Sequence, residues 1–181
     1  MTSRIADSLW LASLAAMLAA AVLSDVTVRR IPNLAAFLGA VAALALSVSP
    51  GGTGAGNAML GLACGLAVPL PFKLLGVMGA GDVKLLAAVG AFVGFPGVLW
   101  VITVAFVAGG ALSLAWAMRY RAARAMMGNL RAGLVQVTAG RLPRPGGLPL
   151  SGVRVPYSFA IVIGALGYAL WSGRVHWRDA I

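Results

Sequence analysis

The chain has 181 residues, of which 61% are hydrophobic and 10% charged, with a mean hydropathy of +0.95. So little charge cannot solvate the surface of a water-soluble domain, which leaves lipid as the solvent. The 14 Lys and Arg against 4 Asp and Glu give a formal charge of +10; nucleic-acid binding needs a soluble basic face, and in a membrane chain the bias of basic residues toward cytoplasmic loops accounts for the excess.

An all-α, polytopic membrane protein with about six transmembrane helices is therefore expected, forming one domain over residues 1–181. Apolar runs long enough to span, or to span with snorkelling flanks, lie at 9–23, 34–48, 57–75, 83–95, 97–118 and 157–172. The first run follows Arg4 and ends in an Ala-rich stretch, a pattern shared with secretory signal peptides. Further spans follow it and Asp25 comes directly after it, so a retained span is the preferred reading. The fourth run is short, and the turn at 95–97 that separates it from the fifth is tight.

Basic residues mark alternate connections: Arg29 and Arg30 after the first run, Lys73 and Lys84 between the third and fourth, and seven arginines from Arg119 to Arg154 between the fifth and sixth. The connections at 49–56 and 95–97 carry no charge. By the positive-inside rule the three basic connections face the cytoplasm and both termini lie outside, with Arg174 and Arg178 running against the pattern. The basic loop at about 119–154 has two parts. In the first, Met126, Met127, Leu130 and Leu134 recur at helical spacing between arginines, which suits an extension of the fifth span or a helix on anionic lipid. The second, rich in Gly, Pro and Arg, reads as irregular loop; a solvated topogenic anchor is the preferred reading of the whole, with a substrate-contacting role the alternative. Trp10, Trp100, Trp171 and Trp177 read as an aromatic belt on the outer side.

The polar inventory restricts the chemistry. There is one cysteine, Cys64, so no intrachain disulfide or Cys-pair metal site can form, and the one histidine, His176, lies near the end of the chain. A Ser-His relay or a histidine zinc site is not expected, and neither a metal nor a cofactor is assigned. Glutamate is absent, and Asp7 and Asp179 sit near the termini, which leaves Asp25 and Asp82 as the interior carboxylates. Both fall at the same ends of apolar runs, Asp25 where the first run exits and Asp82 where the fourth begins. An ionisable group at that depth is a functional candidate, although two carboxylates facing headgroup water beside Arg29, Arg30 and Lys84 are also consistent with position alone. Gly79 and Gly81 flank Asp82 with small residues that let another backbone approach. Two carboxylates brought close share one proton, and the opposite partial charges of the helix ends on which they sit help to divide it. Lys84 cannot neutralise Asp82 along its helix, because i and i+2 point to different sides.

Asp25-Val26-Thr27-Val28-Arg29-Arg30-Ile31-Pro32-Asn33 resembles the first aspartate motif of the type IV prepilin peptidases. Gly79-Ala80-Gly81-Asp82-Val83-Lys84 is similar to their second, a Gly-x-Gly-Asp motif shared in outline with presenilin-type peptidases, and Val155-Pro156-Tyr157-Ser158-Phe159-Ala160 resembles a third block near the last span. The resemblance implies an aspartic endopeptidase of the bacterial inner membrane, facing the cytoplasm, that removes the short basic leader of prepilin-like membrane proteins. Asp25 and Asp82 match the family's catalytic pair, and no metal or cofactor takes part. Gly79, Gly81 and Tyr157 are candidate substrate contacts, Tyr157 being equally well read as an interfacial anchor of the last span. Longer members carry an added cytoplasmic segment with paired cysteines and also methylate the new pilin N-terminus. This chain has no room for that segment before Asp25 and resembles the short branch associated with Flp or tight-adherence pili, so peptidase activity alone is expected. Two alternatives remain open on sequence grounds: a small proton or ion transporter, since membrane aspartates also relay protons, and a non-catalytic scaffold of a pilus or secretion machine that docks through the basic loop.

Overall fold

The computed structural model describes residues 2–28, 31–49, 52–74, 78–119, 128 and 157–172, without the side chains of 2–4, 116 and 117. Seven helices are described: α1 (Thr2–Val28), α2 (Asn33–Ser47), α3 (Ala55–Ala67), α4 (Leu70–Leu74), α5 (Ala80–Val93), α6 (Gly97–Arg119) and α7 (Ser158–Trp171). No strand occurs among the described residues, so the fold is all-α. Each predicted run carries a helix. The third is divided at Val68–Pro69, where the prolines at 69 and 71 lack the N–H groups that would continue the ladder of α3.

Three stretches are long and apolar enough to cross a membrane: Ile5–Val28, Ala55–Leu74 and Gly97–Ala115. The helices α2, α5 and α7 have 15, 14 and 14 residues. At about 1.5 Å per residue, 14 residues reach roughly 21 Å, short of a hydrocarbon core about 30 Å thick. The chain is thus a membrane protein with three full-length spans and three shorter apolar helices among them.

The shortest of these helices is also the most enclosed. Val83 and every residue from Leu85 to Val93 in α5 are buried, which is what a helix without a polar face requires. It packs chiefly against α3 and α2. On α3, Gly61 and Gly65 lie four apart, and a Cβ at either would strike the α5 backbone, at the Gly90 and Leu86 carbonyl oxygens respectively. This is the close approach that small residues at i and i+4 permit between membrane helices, where dispersion has to supply the attraction. The outward faces of α1 and α2 are apolar and exposed, with Leu23, Val26, Leu34, Phe37 and Val41 left for lipid.

At one end of the bundle α5 stops at Gly94, whose φ of +71° favours glycine, and the Asn57 side chain accepts a hydrogen bond from the Phe95 N–H at 3.0 Å. Trp10 does not join an outer belt. It is 5% exposed, donates from Nε1 to the Phe92 carbonyl at 3.1 Å, and meets the Phe92 ring edge-on at 5.7 Å. Its indole closes the bundle from within, because a buried Trp N–H must find an acceptor. Trp100 and Trp171 do stack at the surface, 6.4 Å apart, and Trp177 lies outside the described residues. The basic loop at 119–154 also lies outside them, apart from Arg119 and Gly128, as do Arg29 and Arg30.

Candidate active site

The opposite end gathers the C-terminus of α1 and the N-termini of α2, α5 and α7. Asp25 sits in the last turn of α1, half-buried, and Asp82 in the first turn of α5, also half-buried. The two carboxyl groups lie within electrostatic reach of one another. The interior carboxylates that stand far apart in sequence therefore share one end of the fold.

Each is held by a backbone donor at the start of a helix. Asp82 turns back on its own helix: its Oδ2 accepts from the Gly79 N–H at 3.2 Å, one of the amides that a helix start leaves unpaired. Asp25 reaches a different helix. Its Oδ2 accepts from the Ser158 hydroxyl at 2.6 Å and from the Ser158 N–H at 3.3 Å. Ser158 is completely buried and opens α7.

The flanking glycines serve this geometry in different ways. A Cβ on Gly81 would come within 2.9 Å of the Ile31 Cβ, so the space that Gly81 leaves is occupied by the residue that follows the first motif's arginines. A Cβ on Gly79 would lie 2.9 Å from Asp82 Oδ2, crowding the carboxylate itself. Lys84 faces away from Asp82 and donates to Asn33 Oδ1 at 2.9 Å, a second tie between the two motifs. Tyr157 is half-buried just before α7, lies within electrostatic reach of Asp82, and rests its ring on Gly109 of α6, where any side chain would collide with it. From Gly109, α6 continues for ten more residues to Arg119, about 15 Å beyond this level.

An open groove lies elsewhere. It has a volume of about 520 Å³ and runs between α2, α3 and α5, with Phe37, Leu62, Leu66 and Ala87 on its walls and Lys84 with Asn33 at its head. Neither aspartate lines it. Lys84 is two residues beyond Asp82, about 200° further around α5, so groove and carboxylates occupy different sides of that helix. Among the described residues no group of three or more His, Cys, Asp or Glu side chains is placed to hold a metal ion.

Residues 12–114 match the type IV leader peptidase family, and that stretch contains both aspartates and both of their motifs. The chain belongs to this family. No curated protein and no solved structure matches it. The third block, at 155–160, falls beyond the matched residues, yet it supplies the donor that meets Asp25. Sequence reasoning singled out Tyr157 in that block and passed over Ser158. The available signal was a small hydroxyl residue at the head of an apolar helix, at the same end as the aspartates.

Proposed function

We propose that this family member is an aspartic endopeptidase whose Asp25 and Asp82 form a catalytic dyad that cleaves the leader from prepilin-like membrane proteins. The observation that carries the reading is the meeting of the two interior carboxylates at one end of the bundle, near enough to interact, inside the stretch that matches the family. In the reaction one carboxylate takes a proton from water as the water oxygen attacks the scissile carbonyl carbon. The other, protonated, donates to the carbonyl oxygen as charge develops there. Collapse of the tetrahedral intermediate breaks the C–N bond, a proton passes to the leaving nitrogen, and a leader carboxylate and a new amino terminus result. No other group is needed to balance the step.

The substrate follows from the depth of the site. A prepilin has a short basic leader, held on the cytoplasmic side by the positive-inside rule, followed by an apolar helix in the bilayer. A dyad at the cytoplasmic edge of the bundle meets the bond between them. Lys73, Lys84 and Arg119 all lie toward the aspartate end, and the basic stretch 119–154 follows, which favours a cytoplasmic orientation in a bacterial inner membrane. A Flp-like pilin is the preferred substrate class, peptidase activity without methyl transfer the preferred activity, and Gly79, Gly81 and Tyr157 remain the candidate contacts to an extended substrate.

The test is incubation of purified enzyme with a candidate precursor, followed by mass measurement of the product. Asp25→Asn and Asp82→Asn should each abolish cleavage, and the double variant should be no worse, because the pair acts as a unit. Full cleavage by either single variant would remove the dyad from consideration. Ion flux lost in these variants with processing intact would point to a transporter instead.

A further inference from the structure

The environment of Asp25 holds more than a carboxylate near another carboxylate. Ser158 places two donors on the same oxygen, its hydroxyl at 2.6 Å and its backbone N–H at 3.3 Å from Oδ2. The shorter distance lies at the close end of the range for O–H···O hydrogen bonds. Ser158 is 0% exposed, so its rotamer is fixed by packing. The helix it opens has no side-chain cap of its own, and the α1 carboxylate takes that place from across the bundle. Two donors converging on Oδ2 fix both the position of the carboxylate and the plane in which it lies. They leave Oδ1 as the oxygen able to take a proton from water.

We infer that Ser158 is a positioning residue for catalysis: by holding Asp25 Oδ2 it orients Oδ1 toward the reacting water. The inference rests on the dyad reading of the preceding section and adds a residue outside the stretch that matches the family. The other groups around the pair are Asp82 from α5 and Tyr157 at the head of α7, with Arg29 and Arg30 following Asp25 in sequence. Among the described residues, Ser158 supplies two donors to Asp25 Oδ2, and neither Asp82 nor Tyr157 bonds to it. A catalytic carboxylate free to rotate loses the alignment that makes bound water reactive, and the loss appears in the chemical step more than in binding.

The experiment measures kcat and KM on a prepilin-like precursor for the wild type, Ser158→Ala, Ser158→Thr and Asp25→Asn, with thermal unfolding of each in the same detergent. Ser158→Ala should lower kcat about ten- to a hundred-fold, the range that one charge-assisted hydrogen bond controls, and leave KM within about twofold. Ser158→Thr, which keeps the hydroxyl, should recover most of kcat. Wild-type kcat in Ser158→Ala with an inactive Asp25→Asn overturns the positioning role and leaves the dyad standing. So does a fall confined to KM, or a lowered unfolding temperature with unchanged kcat per folded enzyme, since these are the marks of a residue that serves folding or binding alone. Activity in Asp25→Asn overturns the dyad reading, and the inference with it.

Discussion

Replacing Asp25 by alanine strips both donors of the buried Ser158 of their acceptor. The hydroxyl and the N–H belong to a residue with 0% exposure, and each makes its bond to the same carboxylate oxygen. A buried donor left unpaired costs about 1–3 kcal/mol, and with the longer N–H contact at the weak end the two together come to roughly 2–4 kcal/mol. Asparagine behaves differently. Its carbonyl oxygen still accepts from both donors, so neither is left unpaired. Both variants should be inactive, but their stabilities should separate, with Asp25→Asn near the wild type and Asp25→Ala clearly below it. Thermal unfolding of the purified proteins in one detergent measures the difference.

A double variant sharpens the sign. Asp25→Ala with Ser158→Ala removes acceptor and hydroxyl together, and deleting both members of a buried pair is far milder than deleting one. The double variant should therefore unfold at a higher temperature than Asp25→Ala alone. If the two losses simply add, or if Asp25→Ala is as stable as Asp25→Asn, the bonds across α1 and α7 do not carry the weight assigned to them.

The contact between Gly81 and Ile31 gives a second expectation: Gly81→Ala should reduce cleavage several-fold by pushing the head of α5 away from Ile31, and Ile31→Ala should restore part of it, because the added Cβ meets Ile31 Cβ at 2.9 Å. A Gly81→Ala defect that is indifferent to residue 31 would assign that glycine to substrate instead. Orientation is checked by placing a cysteine at Gly146 in a Cys64→Ala background; an impermeant reagent should fail to label it in intact cells, and labelling from outside would put both aspartates on the wrong face.

What the sequence made legible follows from what is scarce in it. Six apolar runs stand out because charge is rare, and each carries a helix in the structure. Asp25 and Asp82 stand out because they are the interior carboxylates, and two motif blocks around them suffice to reach the family. What it concealed are contacts whose partners are common residues. Gly61 and Gly65 were two of 24 glycines, and only the path of α3 along α5 shows that they hold two backbones together. Trp10 carried the same apparent signal as Trp100, yet one is enclosed and the other lies at the surface.

Ser158 shows why local reasoning stops short at the site itself. From its own helix, Asp25 is a residue near a C-terminal end, where the partial charge is negative. In the fold it faces the N-terminal end of α7, which brings it a hydroxyl, an amide and the positive end of another helix dipole, from a residue 133 positions away. The helix-end comparison drawn from sequence therefore covered only half of its surroundings. Asp82, by contrast, is held by Gly79, three residues before it, and that tie belongs to the Gly-x-Gly-Asp motif. One carboxylate is positioned by its own motif and the other by the far end of the chain. The first could be read in a short stretch of sequence, and the second required the bundle to close.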